Sequence, residues 1–89
     1  MAVRRRVVAY GRVQGVFFRD SCQRVAASTG VSGSVRNRND GAVEAVFEGD
    51  HDAVARMVAW MRQGPRRADV ERVEVTDEDP QGESGFRVS

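Results

Sequence analysis

The sequence predicts an α+β sandwich, and three observations carry that reading. The chain has no Leu, Ile or Lys, so its core falls to Val, Ala, Phe, Met and Trp, and abundant Val favours strands over long helices. Strand-like runs of period two alternate with two stripes at helical spacing in the order βαββαβ. At 89 residues the chain suits one two-layer core, one domain spanning residues 1–89.

Each element has a local reason. β-branched and aromatic residues from Arg4 to Tyr10 predict strand one, which Gly11 ends by relaxing the backbone. Phe18, Cys22, Val25, Ala26 and Thr29 fall on one helical face, so helix one runs from Arg19 to Thr29 with Gly30 as its stop. Strand two is Val31 to Asn37, where Val31, Gly33 and Val35 alternate with polar partners. Strand three places Val43, Ala45 and Phe47 against Glu44 and Glu48. Asn39, Asp40 and Gly41 form the hairpin between them. After Gly49, an Asp50 or Asp52 cap precedes the stripe of Val54, Met57, Val58 and Met61, which Gly64 and Pro65 terminate. Strand four is Asp69 to Val75. Asp77 to Gly85 reads as a solvated polar loop, and Phe86 to Val88 forms a possible short fifth strand. Right-handed crossovers then give a ferredoxin-like antiparallel sheet of order 4-1-3-2, with two helices on one face.

Composition removes several function classes. All 14 basic residues are Arg, and against 13 acidic residues they leave a net charge of +1, which argues against a nucleic-acid binder and leaves room for a focused positive site. Ferredoxin-like sheets that bind RNA expose aromatics on central strands. Only Tyr10 and Phe47 are candidates here, and Phe47 reads as core. The lone Cys22 has no disulfide partner and no Cys/His cluster has metal spacing, so no metal or cofactor is expected. Cys22 itself lies on the inner stripe of helix one and reads as core, and His51 reads as a solvent-facing residue at a helix start. Met57, Trp60 and Met61 read as packing. No stretch is long enough to span a membrane or act as a signal core, which makes the cytoplasm the expected compartment.

The chemistry concentrates in "YGRVQGVFFRD", residues 10 to 20. A glycine-bracketed loop curls into the start of helix one, where main-chain N–H groups lack helical partners and the dipole supplies roughly half a positive charge. Arg19 adds a guanidinium whose fork grips two phosphate oxygens. The loop is neither a Walker loop nor a Rossmann fingerprint, and a glycine-bracketed loop ahead of a helix is by itself more often just a turn. Helix one carries the chain about 16 Å away at 1.5 Å per residue. Strand two returns it by about 20 Å at 3.3 Å per residue. Asn37 thus arrives beside Arg19, either to hold a water near a bound phosphate or to open the hairpin as a turn residue.

"GRVQGVFFR", Gly11 to Arg19, and "GSVRNRNDGAVE", Gly33 to Glu44, resemble the two signature segments of the acylphosphatase family. "EAVFEGDHDAVARMVAWMRQGP" and "GFRV" extend the likeness over the whole length. The resemblance implies hydrolysis of small-molecule acyl phosphates without a metal, by a monomer. Arg19 would be the catalytic phosphate-binding arginine and Asn37 the residue orienting the attacking water. The backbone amides of Gln14, Gly15, Val16, Phe17 and Phe18 would be the phosphate cradle. Two positions depart from the family pattern: Ser34 stands where a Trp is usual, removing a packing support, and Phe17 where smaller side chains are common, narrowing the mouth. A non-catalytic phosphate- or ligand-sensing module of the same fold is the alternative.

Overall fold

A computed structural model describes all residues 1–89. The elements are β1 (Ala2–Arg12), α1 (Phe18–Thr29), β2 (Ser32–Asn37), β3 (Val43–Asp50), α2 (His51–Gln63), β4 (Asp69–Glu78) and β5 (Phe86–Val88). The sheet order is β4-β1-β3-β2-β5. Its first four strands are antiparallel in the expected order, and β5 pairs parallel to β2 at the edge.

Two strands outrun their expected ends. β1 continues past Gly11 through a bulge, since Tyr10 faces Arg72 while Gly11 faces Val70. Glu71 is left unopposed there, and glycine is required: with φ at 125°, a Cβ on Gly11 would lie 2.3 Å from the Asp69 carbonyl oxygen. β4 runs on to Glu78 because its acidic end is not free of partners. Arg5 Nε donates to Asp77 at 2.9 Å, and Arg6 Nε to Glu78 at 2.6 Å. Cross-strand ion pairs of this kind hold polar residues in a ladder that hydrophobic patterning does not mark.

The apolar core of the sheet lies on the face that carries both helices, with Val7, Ala9, Val35, Val43, Ala45 and Phe47 packed against Phe18, Cys22, Ala26, Val54, Met57 and Met61. Phe18 meets Trp60 edge-on at 5.2 Å. Gly33 pairs with Phe47 on one side and Phe86 on the other, and those two rings stack at 5.9 Å. The missing side chain on β2 lets rings two strands apart lean together and close the core over the glycine.

The opposite face is an ionic lattice. Arg4 is buried and contacts Glu48, Glu78 and Glu83 at 3.1, 2.9 and 3.2 Å. Arg6, Arg36 and Arg38 all reach Glu44. Tyr10 is covered by the Arg72 guanidinium, 3.9 Å from its ring centre, and Phe47 lies on the other face, so no aromatic platform is open. The segment after β4 is an exposed loop, as expected, but it is anchored: the Glu48 carboxylate accepts from the N–H groups of Gln81, Gly82 and Glu83 at 2.8, 2.7 and 3.1 Å. Those amides, the Gln81 bond foremost, and the Arg4 guanidinium hold the Glu48 carboxyl below the usual range. Ser34 also sits on this face, paired with Val46 and Arg87, so a Trp at that position would pack over the lattice and not against the helices.

Candidate active site

Between β1 and α1 the chain turns through residues in unusual backbone states. Gly15 has φ of 75°, and Phe17, at φ 63° and ψ 28°, is the one non-glycine residue with positive φ. A bulky side chain in that region costs of order 1–3 kcal/mol, strain that concentrates where a loop has a task. None of the N–H groups of Gln14, Gly15, Val16 and Phe17 donates to another main-chain group. The first bond of α1 runs from Ser21 N–H to the Phe17 carbonyl at 3.0 Å, so the amides of Phe18, Arg19 and Asp20 also emerge without a helical acceptor. Alternating positive and negative φ ahead of a helix start forms a concave nest of N–H dipoles suited to an anion.

A hollow of about 400 Å³ opens at this point, lined by Gly15, Phe17, Phe18, Arg19 and Asn37, with Val88 from β5 among its other walls. Asn37 pairs with Val43, which puts its side chain on the helix-bearing face at the end of β2. Its carboxamide makes no hydrogen bond within the chain. Arg19 Nη1 donates to the Ser89 main-chain oxygen at 2.6 Å, and Ser89 N–H bonds the Val35 carbonyl at 3.0 Å. The guanidinium is thus fixed on one side, and its remaining N–H groups are unclaimed.

Gln14 and Val16 do not line the hollow. Val16 is buried. Gln14 turns its side chain to the β2–β3 hairpin, where Nε2 donates to the Arg38 and Ala42 carbonyls at 2.8 and 3.0 Å. That clip ties the loop holding the free amides to the turn following Asn37. Sequence reasoning assigned Gln14 only through its backbone and missed its side chain, as it missed the Ser89 anchor. Asp20 and Gln23 also border the hollow; the i to i+4 step from Arg19 to Gln23 was the available signal.

Other chemically notable side chains stand elsewhere. Cys22 is fully buried, and burial pushes its thiol up to about 12, which leaves no thiolate nucleophile at neutral pH. His51 is exposed, 3.3 Å from Asp52. β1 pairs Ala2 with Asp50 and Ala9 with Val43, so His51 lies some seven strand steps, about 23 Å, from the hollow.

The family profile described as acylphosphatase matches residues 5–88. An acylphosphatase of Thermococcus kodakarensis is 54% identical over 86 residues, covering 97% of this chain and 94% of the relative. A solved acylphosphatase structure from Coxiella burnetii superposes with a TM-score of 0.94 at 34% identity, covering 99% of this chain and 93% of that one. One from Bacillus subtilis gives 0.94 at 33% identity, with 100% and 99% covered.

Proposed function

The chain belongs to the acylphosphatase family, and from that premise we propose that Arg19 and the loop amides hold the phosphoryl group of an acyl phosphate while Asn37 directs the attacking water. The water oxygen bonds to phosphorus, the bond to the acyl oxygen breaks with its electron pair going to the carboxylate, and the products are carboxylate, phosphate and a proton. A carboxylate leaves readily, so the reaction requires positioning and charge stabilisation more than a strong general acid. This suits a hollow whose polar groups are amides, the Arg19 guanidinium and the carboxamides of Asn37 and Gln23, with the Asp20 carboxylate at its border.

The observation that carries the reading is the convergence of Arg19 and Asn37, from different elements, on one hollow beside N–H groups without acceptors. The Arg19 fork and the helix dipole favour the anion in the ground state and more so as charge spreads over the equatorial oxygens. The same reading takes a one-domain monomer as the working unit.

Hydrolysis of benzoyl phosphate by the wild type and the Arg19→Ala, Asn37→Ala and Cys22→Ala variants tests the roles. Arg19→Ala loses at least about 10²- to 10³-fold in rate, the typical cost of one well-placed donor, and weakens inhibition by inorganic phosphate. Asn37→Ala loses turnover with phosphate inhibition kept, and Cys22→Ala stays active. An Asn37→Ala protein with wild-type kcat sinks the assignment of the water-directing role.

A further inference from the structure

A second hollow adjoins the first, sharing Phe17 and Asp20 as a common rim and bounded on its far side by Arg24, Pro65, Arg66 and Arg67. Its volume is about 360 Å³. Phe17 is 67% exposed and is held in its left-handed conformation between the two. One helical turn, about 6 Å, separates Asp20 at the rim from Arg24.

Positive charge outweighs negative around this hollow. Eight of the fourteen arginines have a carboxylate within 4.0 Å, namely Arg4, Arg5, Arg6, Arg24, Arg36, Arg38, Arg72 and Arg87. Arg12, Arg19, Arg56, Arg62, Arg66 and Arg67 have none, and of these Arg66 and Arg67 line this hollow. The only carboxylate lining the hollow is Asp20, which Arg24 reaches at 3.7 Å. The segment that carries the two unpaired guanidiniums is fixed: Arg12 Nη2 donates to the Arg67 carbonyl at 3.0 Å, and Ala68 N–H to the Pro65 carbonyl at 3.0 Å. In a chain of net charge +1, two unpaired arginines on a pinned turn beside an exposed aromatic are a local concentration of positive charge.

We propose that this second hollow is the acyl subsite, and that it selects acyl phosphates whose acyl group carries a second anion, a carboxylate or phosphate, which Arg66 and Arg67 hold while the chain between crosses Phe17. The proposal rests on the acylphosphatase reading of the first hollow. The phosphoryl group sits over the loop amides, the acyl carbon chain lies on the Phe17 ring, and the far anion meets the guanidinium pair. Arg66 and Arg67 touch only the remote end of the substrate, so they act on specificity and not on the bond being broken.

The test compares benzoyl phosphate with 4-carboxybenzoyl phosphate at low ionic strength, in the wild type and in the Arg66→Gln/Arg67→Gln double variant. Both side chains are exposed and neither has an ion-pair partner, so the double variant folds as the wild type does. The wild type is expected to favour the carboxylated substrate by about tenfold in kcat/KM, carried by KM, the scale of two exposed ion pairs. In the double variant the preference falls to about one, with benzoyl phosphate kinetics unchanged within about twofold. Salt at about 0.5 M narrows the wild-type preference, because exposed charges are screened. A wild type that turns over both substrates equally overturns the subsite and leaves the acylphosphatase reading intact. So does a double variant that loses equally on both. A wild type inert toward benzoyl phosphate overturns the reading of the first hollow and the subsite with it.

Discussion

Replacing Gln14 with Glu isolates the contribution of a single amide group. The substitution keeps the side-chain shape and removes both donors, so the carboxylate faces the Arg38 and Ala42 carbonyls it formerly bonded at 2.8 and 3.0 Å. Each lost bond is worth about 0.5–1.5 kcal/mol, which gives about 1–3 kcal/mol for the pair before any repulsion between acceptors. At about 4–8 °C per kcal/mol for a chain of this size, the melting temperature falls by at least about 4 °C and by up to about 24 °C. Gln14→Ala loses the same bonds without the repulsion and falls less. The new carboxyl is easier to protonate folded than unfolded, because its neutral form regains a donor. The deficit is therefore smallest below about pH 4.3 and grows as pH rises through the raised folded value. Thermal unfolding followed by circular dichroism at several pH values measures it. Because the clip joins the amide loop to the turn after Asn37, kcat for benzoyl phosphate falls as well, by about tenfold or more, since small misplacements of positioned groups are costly. A Gln14→Glu protein that melts within about 2 °C of wild type refutes the clip and the reasoning built on it.

Gly33→Ala places a Cβ 1.8 Å from the Val46 carbonyl oxygen at φ of 138°, so urea denaturation should show a loss above about 3 kcal/mol, at the upper end of overpacking costs. Gly41→Ala, with φ of 93° and open space around it, should lose only about 1–2 kcal/mol in the same assay. The lowered carboxyls of Glu48 and Glu78 contribute stability that is present above the unfolded value of 4.5 and disappears as pH falls through the folded value. The urea midpoint of the wild type should therefore drop steeply below that pH, and Glu48→Gln, already weaker at neutral pH, should drop less. Buried Cys22 should resist a thiol reagent such as 5,5′-dithiobis(2-nitrobenzoate) at pH 8 until denaturant opens the chain.

Both helices and the main strands were legible because apolar spacing marks them directly: Phe18, Cys22 and Ala26 stripe α1, and Val43, Ala45 and Phe47 alternate along β3; the sheet order followed from the handedness of the crossovers. Arg19 and Asn37 were legible as neighbours because element lengths alone return the chain to its starting edge. What stayed hidden depends on pairing between distant positions. The Thr76–Glu78 end of β4 looks like loop until Arg5 and Arg6 are known to stand opposite it. Glu48 reads as an ordinary outward residue of β3 until the amides of Gln81 to Glu83 are seen to converge on it. The Gln14 clip joins residues 24 and 28 positions apart, and no local pattern announces which way an amide side chain turns. The αL state of Phe17 is hidden for a related reason, since nothing in its chemistry favours that conformation.

The ionic lattice on the open face has a consequence for how the molecule meets its substrate. Guanidiniums matched with carboxylates over one whole face cancel one another within a few ångströms, so little field leaves that side. Arg19, Arg66 and Arg67 lie near the mouth without carboxylate partners, and their field extends into solvent. A nearly neutral protein built this way still has a preferred orientation toward a drifting anion, and encounters steered by that field bring the hollow round to face it.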